Sequence, residues 1–208
     1  FLKELGMLEP TGFEIVEAAT GRPLLPPNWS ELSTMTISYG HGLSTSPMHL
    51  AAGYAAIANG GYKVQPTILK RHTFEKGPRV FTEQASKASM EMLRKVVTEG
   101  TASFGEVKGY AVAGKTGTAD KPRRRGGGYY EDKVIATFAS VFPAHEPKYV
   151  LIVTLDEPVD TIGDEPRRTA GWTAVPVAAE MIRRVAPLLG LRPTVEPQST
   201  MDIKLTSN

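Results

Sequence analysis

The sequence predicts an α+β fold: an antiparallel sheet flanked by helices. Three observations carry that expectation. Val134-Ile135-Ala136-Thr137-Phe138-Ala139-Ser140-Val141-Phe142 and Tyr149-Val150-Leu151-Ile152-Val153-Thr154-Leu155 read as strands, rich in β-branched and aromatic residues. Only Pro143-Ala144-His145-Glu146-Pro147 joins them, a turn-sized link that suits an antiparallel pair and is too short for a parallel crossover. Two longer stretches, about 46–58 and 172–188, carry apolar residues between helix start and stop signals.

Composition narrows the function classes. The chain has 208 residues, enough for one sizeable core, with 41% hydrophobic and 22% charged residues, ordinary globular values. A formal net charge of +2 is too small to argue for nucleic acid as a partner. Cysteine is absent, which removes disulfide frameworks and thiolate metal sites. His41, His49, His72 and His145 are scattered with no metal-ligand spacing, so neither a metal nor a cofactor is expected. No apolar run is long enough to span a bilayer, and the first residues do not read as a signal peptide. Phe1-Leu2-Lys3-Glu4-Leu5 looks like the end of an amphipathic helix capped by Gly6, so the chain is expected to be a fragment.

In chain order, residues 10–35 are broken by Pro10, Gly12, Gly21, Pro23, Pro26 and Pro27, and read as loop with at most a short hairpin. A short helix fits 29–38, and Tyr39-Gly40-His41-Gly42-Leu43 is a glycine turn. Ser46-Pro47 starts the clearest helix, serine as N-cap and proline at the first helical position, where its missing donor costs nothing. Its residues are apolar nearly all round, which predicts a buried helix ending at Asn59-Gly60-Gly61. His49 lies on it and reads as structural. Val64–Leu69 reads as a short strand. A helix from Thr82 or Ser86 to Thr98 presents Ala85, Met90, Leu93, Val96 and Val97, with Met90 and Met92 as core filler. Gly109–Ala119 opens as a strand in which Tyr110 and Val112 alternate with Ala111 and Ala113. Lys121-Pro122-Arg123-Arg124-Arg125-Gly126-Gly127-Gly128-Tyr129-Tyr130 is basic enough to suggest RNA, but between two strands it reads as a mobile hairpin loop. Asp156-Glu157 read as turn acids. The last helix, 172–188, is expected to bury Val175, Val177, Ala178, Met181, Ile182 and Val185, with Pro176 in its first turn. Residues 191–208 are a polar, mobile tail.

The chemistry concentrates in Gly114-Lys115-Thr116-Gly117-Thr118-Ala119. Lys115 offers an ammonium and Thr116 and Thr118 offer hydroxyls, a donor-rich rim for an anion or a carbonyl. Gly117 in a strand interior suggests that another backbone or a ligand comes close there. Gly109 to Thr116 formally fits G-x-x-x-x-G-K-T, but a phosphate loop follows a strand and opens a helix, whereas here the strand itself carries the lysine.

A strand-borne Lys115-Thr116-Gly117 resembles the third motif of the penicillin-recognising serine acyltransferases, whose set is S-x-x-K, S-x-N and K-T-G. Gly40–Ala51, Tyr54–Gly61, Val97–Ala102, Val112–Ala119 and Pro176-Val177 extend the likeness over residues 1–190, and the chain resembles the C-terminal part of the transpeptidase domain of a class B penicillin-binding protein. That resemblance implies a serine β-lactamase/transpeptidase-like fold, incomplete at the N-terminus. It implies a peptidoglycan D,D-transpeptidase acting through an acyl-serine, with D-Ala-D-Ala stem peptides as substrates and β-lactams as acylating ligands. Lys115 would set the electrostatics, Thr116, Gly117 and Thr118 would bind substrate, and the Thr118 backbone N–H would be an oxyanion donor. The parent would sit on the periplasmic face of the bacterial cytoplasmic membrane, alongside division or elongation proteins.

No serine here has a lysine three residues on, and no S-x-N occurs. The nucleophile and its lysine are therefore expected outside this chain, on a missing N-terminal half of the domain, and the chain alone is expected to be inactive. By the same resemblance the Lys115 strand is a sheet edge, and strand 149–155 pairs with a segment outside the chain. A β-lactam sensor or a non-catalytic module of the same fold are the alternatives.

Overall fold

A computed structural model describes residues 1–16, 21–71, 73, 75–123, 125 and 127–194. Four helices and three strands follow the order α1 (Glu31–Ser38), α2 (Pro47–Ala58), α3 (Glu83–Thr98), β1 (Ala113–Pro122), β2 (Tyr129–Phe142), β3 (Tyr149–Asp156) and α4 (Ala174–Leu188). The strands form one antiparallel sheet in the order β1-β2-β3, so β1 and β3 are its outer strands. This is the α+β arrangement expected.

Local signals place the helices. Ser46 caps α2, its hydroxyl accepting the His49 N–H, while His49 Nδ1 lies 3.3 Å from the Ser46 N–H to close a capping box around Pro47. Thr82 caps α3 by accepting from the Ala85 N–H at 3.1 Å. At the start of the chain, the Met7 N–H donates to the Leu2 carbonyl and the Gly6 N–H to the Lys3 carbonyl. Gly6, at φ +82°, is thus the left-handed residue of a Schellman-type ending, as its position predicted.

The main core lies between the sheet and α4. Ala136, Phe138, Phe142 and Val153 of the sheet pack against Val175, Ala178, Ile182 and Ala186. Phe138 and Ile182 are fully buried, each worth about 1.5–3 kcal/mol of transfer free energy. On the other face, Ala55 and Ala58 of α2 line a cavity of about 200 Å³ together with Val141 and Val150. From α3, Arg94 Nη1 donates to the Val112 carbonyl at 2.8 Å and its guanidinium engages both carboxylate oxygens of Glu106. This anchors α3 to the chain as it enters β1.

Several expectations need correction. β1 begins at Ala113 and not at Tyr110, because the Tyr110 N–H closes a turn onto the Val107 carbonyl and Gly109 sits at φ +89° against Pro193. It also runs on to Pro122, taking in part of the predicted loop. Val64–Leu69 is no strand: Pro66 has no donor to give, and the Glu14 carboxylate takes the Ile68 N–H and the Thr67 hydroxyl instead. Along α3 the buried residues are Val97, as expected, and Ser86, which donates to the Ile57 carbonyl, while Ala85 and Met92 are exposed. In α2 only His49, Gly53 and Ala56 are buried, and Met48 reaches the surface. On α4, Val177 and Met181 are about 40% exposed, because the face carrying Val175, Ala178 and Ile182 already meets the sheet. Leu191 closes the core, and the Thr194 N–H donates to the Gly109 carbonyl. The rest of the predicted tail, 195–208, lies outside the described residues, as do His72, Arg124 and Gly126.

Candidate active site

β1 is an edge whose free groups can be assigned from the ladder. The Glu157 N–H donates to the Val134 carbonyl at 2.9 Å, so Val134 and every second residue after it turn their backbone groups toward β3. Ile135, Thr137, Ala139 and Val141 therefore turn theirs toward β1, opposite Ala119, Gly117, Lys115 and Ala113. The N–H and C=O groups of Gly114, Thr116 and Thr118 are left facing outward. Two observed bonds agree: the Val112 carbonyl accepts from Arg94, and the Thr116 carbonyl accepts from Lys115 Nζ at 2.7 Å.

Side chains alternate across the same strand. Thr116 and Thr118 lie opposite Phe138 and Ala136, on the face that α4 covers. Lys115 and Gly117 lie opposite Ala139 and Thr137, on the face that α2 covers, and both are exposed. The Lys115 ammonium folds back over the edge, 3.4 Å from Thr116 Oγ1. Thr101 and Thr116 hydroxyls are 2.9 Å apart, and the Ala170 N–H donates to Thr118 Oγ1 at 3.0 Å. Because Thr118 Oγ1 accepts there, its own hydrogen stays available for a guest. The two threonines open onto a cleft of about 420 Å³ between the loops at 100–104 and 169–172. Lys115, Thr116, Gly117 and Thr118 thus combine an ammonium, hydroxyl donors and outward N–H groups along four residues of chain, which suits a carboxylate and a polarised carbonyl.

Of the backbone or ligand expected close to Gly117, the backbone is found at Gly114 instead. A Cβ on Gly114 would meet the Ala139 carbonyl oxygen at 2.6 Å and the Phe138 ring at 2.7 Å. At Gly117 the nearest atom is the Thr137 carbonyl oxygen, at 3.9 Å. The fold therefore requires glycine at 114 and leaves open space at 117.

The remaining candidates resolve as structural. His49 is buried, with Nδ1 2.8 Å from Ser46 Oγ and Nε2 2.7 Å from the Glu9 carbonyl oxygen. Lys121 Nζ lies within 2.8 Å of Asp156 and Glu157, and Lys133 Nζ is 2.8 Å from Glu157. Hydrogen bonds from Lys121 and then Lys133 hold the Glu157 carboxyl down at about 2. Of the basic segment, Lys121 and Pro122 end β1, Tyr129 and Tyr130 begin β2, and the Arg123 N–H donates to the Gly128 carbonyl. Tyr129 Oη reaches 3.3 Å from His41 Nε2 in the glycine turn. Among the described residues no cluster of three or more His, Cys, Asp or Glu could hold a metal, and no helix is long and apolar enough to cross a membrane.

Sequence reasoning gave no role to Thr101, Ala170 or Arg94. Thr101 sits in Gly100-Thr101-Ala102, a stretch noted above for its likeness alone, and only its place after α3 brings it beside Thr116. Arg94 occupies a helix face next to Leu93 and Val97, where nothing in the pattern distinguishes it from a solvated arginine.

Comparison with known proteins converges on one family. Residues 1–182 match the model of the penicillin binding protein transpeptidase domain. A Caulobacter vibrioides protein named probable peptidoglycan D,D-transpeptidase FtsI is 32% identical over 206 residues, covering 94% of this chain and 34% of its own length. Stage V sporulation protein D of Bacillus subtilis is 31% identical over 205 residues, covering 93% of this chain and 31% of its own. The chain thus spans about a third of the curated relatives it matches. The transpeptidase domain of penicillin-binding protein 3 from Burkholderia pseudomallei superposes with a TM-score of 0.79 at 34% identity, over 94% of this chain and 58% of that one. Penicillin-binding protein 3 of Mycobacterium tuberculosis, crystallised with ampicillin, gives 0.76 at 27% identity, over 95% of this chain and 46% of that one. An edge strand bearing Lys-Thr-Gly-Thr, the sheet with helices on both faces and these matches along nearly all its length agree: the chain belongs to the penicillin-binding protein transpeptidase domain family.

Proposed function

We propose that the chain supplies one wall of a peptidoglycan D,D-transpeptidase site. The observation that carries this is the outward-facing Thr118 N–H on an edge strand, with the Lys115 ammonium and the Thr116 and Thr118 hydroxyls beside it. In this reading the two hydroxyls hold the terminal carboxylate of a stem peptide ending in D-Ala-D-Ala, or that of a β-lactam. Lys115 adds positive potential where the attacking serine resides. The Thr118 N–H points at the oxygen that gains charge as the scissile carbonyl becomes tetrahedral. Open space at Gly117, which the fold does not require, leaves room for the substrate backbone beside Lys115.

The serine nucleophile and its lysine come from residues outside this chain, since no serine here has a lysine three positions on. The intact protein works at the outer face of the bacterial cytoplasmic membrane, with division or elongation proteins as partners. A labelled penicillin tests both halves of the reading. The 208-residue chain alone should form no covalent adduct. In a longer protein carrying the serine, Lys115→Ala should slow acylation about a hundredfold, the usual cost of one such electrostatic group. An adduct on the isolated chain would place a nucleophile within it, and unchanged acylation in Lys115→Ala would remove the lysine's role.

A further inference from the structure

Two hydroxyls line the rim of β1, and the rest of the protein engages them differently. Thr118 Oγ1 accepts from the Ala170 backbone N–H at 3.0 Å. A backbone N–H only donates, so that bond has one direction and the Thr118 hydrogen is left free. Thr116 Oγ1 lies 2.9 Å from Thr101 Oγ1, and either hydroxyl can be the donor there. Its other neighbour is the Lys115 ammonium at 3.4 Å, which also only donates. A hydroxyl has a single hydrogen and a pair of acceptor sites. If Thr116 donates to Thr101, its hydrogen is used within the protein. If Thr101 donates, Thr116 accepts from both neighbours and its hydrogen is free for a guest. The direction of this one bond decides whether the rim offers one hydroxyl donor or two.

The backbone of Thr101 is held from two directions. It lies just after α3, and the next residue, Ala102, is fully buried with its N–H on the Val96 carbonyl at 3.1 Å. The Thr101 carbonyl oxygen would stand 2.7 Å from a Cβ on Gly171, a contact that only glycine allows. The segment whose Ala170 N–H serves Thr118 therefore also abuts Thr101. We propose that Thr101 is a positioning residue: when a carboxylate occupies the rim, the Thr101 hydroxyl donates to Thr116 Oγ1 and commits the Thr116 hydrogen to the guest. The proposal rests on the function proposed above, in which Thr116 and Thr118 hold that carboxylate. An anion accepts more strongly than a hydroxyl oxygen does, so its arrival reverses any bond that runs from Thr116 to Thr101. The Lys115 ammonium beside Thr116 polarises the hydroxyl in the same sense. Thr101 thus acts on the substrate through Thr116.

The test uses a longer protein carrying the serine, as Thr116→Val, as Thr101→Val, with both changes together, and as Thr101→Ser. Acylation by a labelled penicillin is followed against its concentration, which separates the affinity of the initial complex from the limiting rate. Thr116→Val should weaken the initial complex about tenfold, the cost of one hydrogen bond to a charged group. Thr101→Val keeps the side-chain shape and removes the hydroxyl. It should weaken the complex about threefold and leave the limiting rate unchanged, because the carboxylate is held alike before and during attack. With both changes the loss should be no larger than in Thr116→Val alone, since Thr101 then has nothing to orient. Thr101→Ser, which retains the hydroxyl, should restore native affinity. A further threefold loss in the double variant would mean that Thr101 acts through the fold and not through Thr116. Native affinity in Thr101→Val would equally overturn its positioning role, and both results leave the role of β1 standing. Native affinity in Thr116→Val would overturn the reading of β1 and the proposal with it.

Discussion

Gly114→Ala is the sharpest test of how the edge strand is built, with Gly117→Ala as its partner. The new methyl at 114 would stand 2.6 Å from the Ala139 carbonyl oxygen and 2.7 Å from two Phe138 ring atoms, where ordinary contact begins at 3.4 Å. The neighbours must therefore retreat by about 0.7–0.8 Å (3.4 less 2.7 or 2.6 Å), and neither gives way easily. One is a backbone group in the β1–β2 pairing, and the other is a fully buried ring at the centre of the core. Overpacking of this kind costs about 1–3 kcal/mol, and a backbone clash puts it toward the upper end. For a domain of this size 1 kcal/mol moves Tm by about 2–4 °C, so a drop of about 5–10 °C is expected. Gly117→Ala meets nothing nearer than 3.9 Å, and its effect should stay within about 0.5 kcal/mol. Thermal unfolding followed by circular dichroism, on the three proteins at one concentration, compares them directly. Equal midpoints for Gly114→Ala and Gly117→Ala would show that the packing around 114 is not as described.

Other outcomes follow from contacts along the same strand. Arg94→Ala removes the pairing with Glu106 and uncovers the Val112 carbonyl, and denaturant unfolding should show a loss of about 1.5–3 kcal/mol. Arg94→Lys should recover less than half of that, because an ammonium cannot serve a carboxylate fork and a carbonyl together. Glu157 has a folded-state value of about 2 against an ordinary 4.5. Its depressed pKa means that its contribution is fully present above the ordinary value and is lost as pH falls toward 2. The midpoint difference between the native chain and Glu157→Gln should accordingly shrink between pH 5 and pH 2, and shrink further in high salt, since the cluster is exposed. A constant difference across that range would mean that Lys121 and Lys133 do not discriminate the charged form.

Much of this fold can be read from the sequence where the cause is local. Ser46-Pro47 and Thr82 supply their own capping atoms within three residues, and the Pro143–Pro147 link leaves antiparallel pairing as the only route between its strands. Errors came where a residue's fate depends on what arrives from elsewhere. Val64–Leu69 has strand-like residues, but Glu14, some fifty positions earlier, takes its backbone donor. Val177 and Met181 are as apolar as Ile182, and only the direction from which the sheet approaches decides which of them is buried. The site divides in the same way. Lys115, Thr116 and Thr118 are contiguous and announce themselves, whereas Thr101, Ala170 and Arg94 reach them through tertiary bonds that leave no trace in spacing. Gly114 and Gly117 look alike in sequence, and the buried Phe138 ring behind only one of them tells them apart.

The outward row of β1 has a consequence for what this surface can and cannot adhere to. A bare sheet margin offers donors and acceptors in equal number, which is what lets two margins zip together into aggregates. Here the acceptors are partly withdrawn by the chain itself: Arg94 occupies the Val112 oxygen and Lys115 the Thr116 oxygen. The margin is thereby biased toward donors and carries positive charge. A second strand, which must receive as well as give, finds the Val112 and Thr116 acceptors already engaged, while a small anion needs only donors. One pair of basic side chains thus guards the molecule against sticking to itself and keeps the same stretch of backbone open to a charged guest.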